Sequence, residues 1–229
     1  MKNAHSEDRK IILWDIDGTI IKSQQDKLQS IHKKSLEKQG FSSKDKVLQN
    51  SGLTDFEIID SLYVVKDKQE KILINAFDDL DKIFLSNLQL RDTFICEGIL
   101  DSLSLANKLG WTNGILTGNT HLRAIHKLSE VGILHFFDRQ YIFVCQFGET
   151  RNMIANRAKI TLNEFAFKKT LVIGDTPKDI EVAKILNCPI ISVLTGKFSR
   201  DEIYTYKPTL IVQNLKIGFQ TFNEFLQNI

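Results

Sequence analysis

Two aspartates separated by a single residue follow an apolar run near the start of the chain. The run Ile11–Trp14 has the character of a strand, and Asp15, Asp17, Gly18 and Thr19 come after it. Because alternate residues of a strand share a face, both carboxylates are expected to reach one substrate phosphate, while the glycine and threonine turn the chain and offer N–H groups to its oxygens. This layout favours phosphoryl transfer in which one carboxylate attacks phosphorus and the other carries a proton.

A candidate phosphate cradle follows a second apolar run. Thr117, Gly118 and Asn119 come after Ile115 and Leu116, at the predicted start of a helix. A hydroxyl and free N–H groups at such a position can hold phosphoryl oxygens. The same residues also fit an ordinary helix N-cap, so the phosphate role depends on the other segments.

A cation is expected at this site because two carboxylates that face a phosphate repel it. Carboxylate oxygens are hard ligands, and they favour Mg²⁺ that retains several water molecules. Asp175 follows the apolar run Leu171–Ile173, and Asp179 lies one helical turn later if a helix begins at Pro177. Asp179 is expected near the metal or bound to it through water, although an aspartate is also favourable at a helix N-terminus without any ligand.

These segments resemble the motifs of the haloacid dehalogenase superfamily of phosphohydrolases. The stretch Asp15–Thr19 is similar to the first motif, DxDGT, whereas Thr117–Asn119 is similar to the second and Gly174–Asp179 to the fourth, GDxxxD. The resemblance covers residues 10–22 and 95–212, and the segment between them matches the helical cap of the family by position and pattern.

The resemblance implies roles for individual residues. Asp15 is the expected nucleophile, and Asp17 is expected to donate a proton to the leaving alkoxide and later to take one from the attacking water. The implied Mg²⁺ ligands are the carboxylates of Asp15 and Asp175 and the main-chain carbonyl of Asp17, with Asp179 beside them.

The third motif of the family is a basic residue, usually lysine. This chain departs from that pattern. The first basic residue after the apolar run Tyr141–Cys145 is Arg151. We expect Arg151 to stand beside the nucleophile and to screen the phosphate, and the alternatives are Lys159 and then Lys168 or Lys169. An arginine would supply the charge through a planar fork that does not deprotonate.

One further run, Ser51–Asp55, resembles a G-x-T-D stretch in the helical caps of phosphoglycolate-phosphatase-like members of the family. There the stretch lies near the substrate entrance, so Thr54 and Asp55 are candidate substrate contacts. A glycine followed by threonine and aspartate is equally typical of a helix N-cap.

The apolar runs alternate with helical patterns along most of the chain. This alternation predicts an α/β fold, in which a Rossmann-like parallel sheet carries helices on both faces. One of these helices is expected to bury the face formed by Leu122, Ile125 and Leu128. The strand runs are Ile11–Trp14, Gly114–Leu116, Tyr141–Cys145, Leu171–Ile173, Ile190–Leu194 and Thr209–Val212.

One segment breaks the alternation. Residues 23–91 lack a convincing strand run and repeat apolar residues every three or four positions. This pattern predicts a small all-helical cap domain, inserted into a core domain that is formed by residues 1–22 and 92–229.

Composition limits the remaining possibilities. The chain has 229 residues, 42% of them hydrophobic and 25% charged, which is typical of a globular protein. Its net charge of +2 comes from interspersed basic and acidic residues, so a nucleic-acid partner is not indicated. No stretch approaches the ~18 apolar residues of a membrane span. A cytoplasmic location and a small phosphorylated metabolite as partner are therefore expected, and the sequence leaves the oligomeric state open.

The combined expectation is Mg²⁺-dependent hydrolysis of a small phosphomonoester through a phospho-Asp15 intermediate. Phosphomutase activity on the same core is an alternative, and so is phosphonate hydrolysis if a cap lysine forms a Schiff base. A binding protein without catalytic activity is the alternative from another class, and the presence of all the motif carboxylates argues against it.

Overall fold

The computed structural model describes residues 9–22, 26–41, 52–63, 69–87 and 93–229, with side chains from residue 31 onward in the second range. The strands in chain order are β1 (Arg9–Trp14), β2 (Ile21–Lys22), β3 (Phe94–Ile95), β4 (Trp111–Leu116), β5 (Ile142–Phe143), β6 (Phe167–Gly174), β7 (Ile190–Val193) and β8 (Leu210–Val212). Within these residues, six strands form the main sheet in the order β5-β4-β1-β6-β7-β8, and every neighbouring pair is parallel.

Helices connect the strands. They are α1 (Asp26–Lys38), α2 (Asp55–Leu62), α3 (Glu70–Asn87), α4 (Ile99–Lys108), α5 (His121–Glu130), α6 (Arg151–Glu164), α7 (Pro177–Leu186), α8 (Arg200–Thr205) and α9 (Phe219–Asn228). No helix in the described part of the chain is long and apolar enough to cross a membrane.

Both faces of the sheet are covered, which confirms the predicted α/β fold. In β1, Ile12 and Trp14 pack in the apolar layer that also contains residues of α4, α5 and α9, while Ile11 and Leu13 pack with residues of α6, α7 and α8. A central strand buried on both sides needs an unbroken apolar run, as this sequence has.

The helices α1, α2 and α3 lie between β2 and β3 in the chain and share an apolar core of their own. The strands β2 and β3 pair antiparallel, with Ile21 opposite Ile95. The two ends of the helical segment therefore lie side by side. The expected helical character of this segment agrees with the described residues. The domain limits stay a prediction, and the second limit, at residues 91–92, lies outside the described residues.

Helix α5 buries Leu128 of its predicted apolar face and leaves Ile125 half-buried, but the predicted face does not extend to Leu122. Leu122 is 39% exposed, whereas Arg123 and Lys127, which were not assigned to the core, are 2% and 4% exposed. Both buried cations lie next to carboxylates, Asp55 and Asp17, so α5 forms ion pairs in addition to the apolar contacts of Leu128.

Candidate active site

Asp15 and Arg151 form an ion pair at the carboxyl edge of the sheet. Asp15 is buried after β1, and its main-chain N–H donates to the carbonyl of Ile173 at 2.9 Å. Arg151 begins α6, and the preceding residue, Thr150, caps that helix. Arg151 Nη2 donates to Asp15 Oδ1 at 2.7 Å, and both side chains are buried. Residues 136 positions apart are thus joined beside the expected nucleophile.

The lysines that were alternatives to Arg151 have other surroundings. Lys159 donates to a main-chain carbonyl of α7 at 2.8 Å, and Lys169 donates to the carbonyl of the last residue at 2.7 Å. Lys168 is exposed. Arg151 is therefore the basic residue that the structure brings to Asp15.

Two glycines make room for Asp175, which follows β6. A Cβ atom on Gly18, whose φ is +88°, would lie 2.4 Å from Asp175 Oδ2, and a Cβ atom on Gly196 would lie 1.7 Å from the same oxygen. Thr19 Oγ1 donates to Asp175 Oδ1 at 3.0 Å. The chain after β1 and the chain after β7 therefore close around one carboxylate, and only glycine leaves the space for it.

Asp179 connects a helix N-terminus to Arg151. Its Oδ2 accepts hydrogen bonds from Thr176 N–H at 3.0 Å and from Thr176 Oγ1 at 2.7 Å, which completes the capping box of α7. Its Oδ1 accepts a hydrogen bond from Arg151 Nη2. Both roles considered for this residue, helix capping and membership of the acidic site, are thus combined in one side chain.

The acidic residues at this edge fit a divalent cation. Asp15, Asp175 and Asp179 each offer an oxygen, and these atoms lie within 4.8 Å of one another. Burial raises the pKa of Asp15 to about 7 although Arg151 opposes the change, and burial together with Asp15 and Asp179 raises the pKa of Asp175 well above its ordinary value. The positive charge of Arg151 therefore does not balance the negative charge of these carboxylates. A hard cation such as Mg²⁺ suits their oxygen donors.

Asp17 has different partners from the residues of this cluster. Since β1 ends at Trp14, Asp17 lies beyond the strand, and its alignment with Asp15 stays a prediction. Its carboxylate, one third exposed, instead accepts hydrogen bonds from Lys127 Nζ at 2.7 and 2.6 Å and from Asn119 Nδ2 at 2.7 Å. Burial raises the pKa of Asp17, but the charge and hydrogen bonds of Lys127 and the hydrogen bond of Asn119 outweigh that effect and hold it below its ordinary value.

Thr117 and Asn119 join the sheet edge to Asp17. Thr117 N–H donates to the carbonyl of Phe143 at 3.0 Å, and Thr117 Oγ1 accepts a hydrogen bond from Asn119 Nδ2 at 2.8 Å. Asn119 Oδ1 accepts a hydrogen bond from Lys127 at 2.8 Å. Among the described residues, the Thr117 hydroxyl forms hydrogen bonds only as an acceptor.

A comparison with known protein families shows which family the chain belongs to. The family model for haloacid dehalogenase-like hydrolases matches residues 12–193. The chain belongs to this family. A search of curated protein sequences found no significant match.

Several solved structures share the fold of this chain. A predicted phosphatase from Clostridium acetobutylicum is 20% identical, with a TM-score of 0.72 over 96% of this chain and 99% of that one. A predicted phosphoglycolate phosphatase from Haemophilus somnus is 17% identical, with a TM-score of 0.70 over 94% and 99%. A candidate β-phosphoglucomutase from Bacteroides vulgatus is 18% identical, with a TM-score of 0.70 over 98% and 93%.

In this haloacid dehalogenase-like hydrolase, the segment that precedes α2 docks on two of the motifs. Asp55 N–H donates to the carbonyl of Gly118 at 2.8 Å, and a Cβ atom on Gly118 would lie 2.6 Å from the carbonyl oxygen of Leu53. Gly52 has a φ of +88°, and a Cβ atom there would lie 2.9 Å from the side chain of Lys178. The segment thus contacts both the second and the fourth motif.

Thr54 is a helix cap and a link to the third motif. It forms a capping box with Glu57 at the start of α2, and its hydroxyl donates to the carbonyl of Glu149 at 2.8 Å. Glu149 stands two residues before Arg151. The structure therefore shows the helix-cap role of Thr54, whereas a substrate contact of this residue stays a prediction.

Asp55 also has several partners within the protein. Its carboxylate is 5% exposed and accepts hydrogen bonds from Arg123, from Thr120 N–H at 2.8 Å and from His32 Nε2, which lies 3.0 Å away. A buried anion with these partners has no donor to offer a phosphate and would repel it. A contact of Asp55 with another part of a substrate stays a prediction.

Arg123, Lys127 and His32 did not emerge from the sequence. The apolar residues are the clearest sequence feature of α5, and a lone histidine in a helix carries little information. A usable signal was present, because Arg123 and Lys127 are four residues apart and follow the Thr117–Asn119 cradle, which places two cations on one helix face next to it.

Proposed function

We propose that this haloacid dehalogenase-like hydrolase is an Mg²⁺-dependent phosphatase that acts on a small phosphomonoester through Asp15. The observation that carries the proposal is the buried ion pair of Asp15 with Arg151, beside the further carboxylates of Asp175 and Asp179. Asp15 is the group of this set that belongs to the DxDGT stretch. A small metabolite is the proposed substrate because the chain has no concentrated positive charge for a large polyanion.

The proposed reaction has two halves. In the first, an oxygen of Asp15 bonds to phosphorus, the bond from phosphorus to the leaving oxygen breaks, and Asp17 protonates that oxygen. In the second, water attacks the phosphorus of phospho-Asp15 and gives its proton to Asp17. The bond from phosphorus to Asp15 then breaks, which restores the carboxylate and releases inorganic phosphate.

Asp17 suits both halves because its protonation depends on what is bound nearby. Lys127 keeps Asp17 ionised in the free protein, and this is the form that accepts a proton from water. A bound phosphate adds negative charge close to Asp17, which raises the pKa of Asp17 toward the protonated form that the first half uses.

Other residues bind and orient the phosphoryl group. The guanidinium of Arg151 is proposed to stabilise negative charge on it, and Asp179 positions that guanidinium from the N-terminus of α7. The hydroxyl of Thr117 is proposed to donate to a phosphoryl oxygen.

Asp15, Asp175 and the main-chain carbonyl of Asp17 are proposed to hold Mg²⁺, with Asp179 beside them. The cation would neutralise the carboxylates and the phosphate, and so allow them to approach one another.

A phosphate-release screen tests the proposal. Purified protein with Mg²⁺ is offered sugar phosphates, phosphoglycolate, nucleotides and phosphonates. We expect release from at least one monoester, its loss with excess EDTA, and its loss in Asp15→Asn. Acid quenching during turnover should trap a phosphoprotein in the native chain and none in Asp15→Asn. Full turnover without metal, or undiminished turnover by Asp15→Asn, would contradict the proposal.

Phosphomutase activity is the second candidate, and the similarity of fold to a candidate β-phosphoglucomutase supports considering it. The same screen separates the two, because a mutase would give an isomeric sugar phosphate with little free phosphate. Release only from phosphonates would instead indicate a phosphonate hydrolase.

A further inference from the structure

Lys127 has unusual surroundings for a lysine outside the family motifs. It lies in the second turn of α5 and is 4% exposed. Its Nζ donates to both oxygens of Asp17, at 2.7 and 2.6 Å, and to Asn119 Oδ1 at 2.8 Å. Three acceptors thus match the three protons of the ammonium group. A buried lysine that is fully paired in this way has one defined position.

Asp17 depends on this lysine for its orientation. The residue lies beyond the end of β1, and its carboxylate is one third exposed, so the strand does not fix it. Asn119 holds only Oδ2, whereas Lys127 contacts both oxygens. The buried carboxylate of Asp15 nearby contributes repulsion instead of a contact.

We propose that Lys127 is a positioning residue, which holds the Asp17 carboxylate on the α5 side of the site, apart from the acidic cluster. This inference rests on the proposed function, because it assigns the task of Lys127 through the proton-transfer role of Asp17. Without Lys127, only the hydrogen bond from Asn119 to Oδ2 would hold Asp17, and both proton transfers would lose their aligned group.

Helix α5 carries this contact, and the cap segment holds α5 in turn. Arg123, one turn before Lys127, is paired with Asp55, and the N–H of Thr120 donates to the same carboxylate at 2.8 Å. The hydroxyl of Thr120 donates to Asp81 of α3. The position of Lys127 is therefore tied to the docking of the helices α2 and α3.

A double-mutant cycle tests the proposal. The steady-state kcat and KM for the best monoester are measured for the native chain, Lys127→Met, Asp17→Asn and the double variant. Lys127→Met should lower kcat by at least about 10-fold, and by no more than the roughly 10²–10⁴-fold that loss of a general acid–base costs. Its KM should change little. In the Asp17→Asn background, Lys127→Met should have almost no further effect, since Lys127 acts through Asp17.

Two further variants complete the test. Lys127→Arg should recover part of kcat, because it keeps a donor at that place, and it decides the question if Lys127→Met does not fold. The matched control is Lys108→Met, which removes an exposed lysine at the end of α4 and should leave kcat unchanged. Circular dichroism and urea unfolding identify variants that are not folded.

The outcomes separate this proposal from the proposed function. Native kinetics for Lys127→Met, or losses that multiply in the double variant, would overturn the positioning role while leaving a phosphatase that uses Asp15. Undiminished turnover by Asp15→Asn would overturn the proposed function itself, whatever Lys127 does.

Discussion

Asp55 and Arg123 form an ion pair in which both side chains are at least 95% buried, and it attaches α2 to α5. The partners are 68 residues apart in the chain. The ring of Phe84 of α3 lies 5.0 Å from the guanidinium of Arg123, so this cation contacts two helices of the segment between β2 and β3. A charge pair of this kind joins the helical segment to the sheet layer where apolar packing would be expected.

Arg123→Met should destabilise the protein strongly. Removal of one partner leaves Asp55 as a buried charge without its cation, which typically costs about 3–5 kcal/mol of unfolding free energy. Urea unfolding measures the loss. Adding Asp55→Asn to this variant should restore part of the stability, because the unpaired charge is then gone. An Arg123→Met variant as stable as the native chain would show that the ion pair does not hold α2 against α5.

The stability that Asp55 contributes should disappear in acid. Burial raises its pKa, but the charge of Arg123, followed by the hydrogen bond and charge of His32, outweighs burial and holds the pKa well below its ordinary value of 3.8. A depressed pKa stabilises the folded state above the ordinary pKa, and this contribution is lost as the pH falls toward the folded-state pKa.

Unfolding free energies between pH 7 and pH 3 test this sign. The native chain should lose more stability than Asp55→Asn as the pH falls below about 5. Asp78→Asn, which changes an exposed aspartate of α3, is the matched control and should follow the native curve. Parallel curves for the native chain and Asp55→Asn would refute the prediction.

The fold could be predicted from the sequence, because the strand runs are apolar on both faces and each is followed by a helix. Three runs end in Asp15, Thr117 and Asp175, and parallel strands bring such ends to one edge. Arg151 was also identified correctly as the basic neighbour of Asp15, since it is the first cation after its strand and begins the following helix.

Other contacts could not be predicted from the sequence, because they depend on where the chain turns. β1 ends at Trp14, three residues before Asp17, so the strand pattern does not place the Asp17 carboxylate. Arg123 and Lys127 looked like surface residues, since the carboxylates that neutralise them are 68 and 110 positions away. Pairing over such distances in the chain leaves no local pattern.

Arg151→Ala should be strongly impaired in turnover. The guanidinium is buried beside Asp15, so its loss removes a preorganised charge, and roughly 10²–10³-fold in kcat is the loss expected for one such donor. Arg151→Lys should recover part of the rate, because it restores the charge without the fork. Phosphate release measures both. Lys159→Ala, which removes a lysine with a carbonyl partner elsewhere, should retain the native rate.

Gly196→Ala should weaken Mg²⁺ binding more than it weakens the fold. The added methyl group would lie 1.7 Å from Asp175 Oδ2, so the carboxylate must move away from the site. The Mg²⁺ concentration for half-maximal phosphate release should therefore rise by about 10-fold or more, as for other changes that reorient a ligand. Lys197→Ala, an exposed neighbour, is the matched control. An unchanged Mg²⁺ requirement in folded Gly196→Ala would remove Asp175 from the proposed metal ligands.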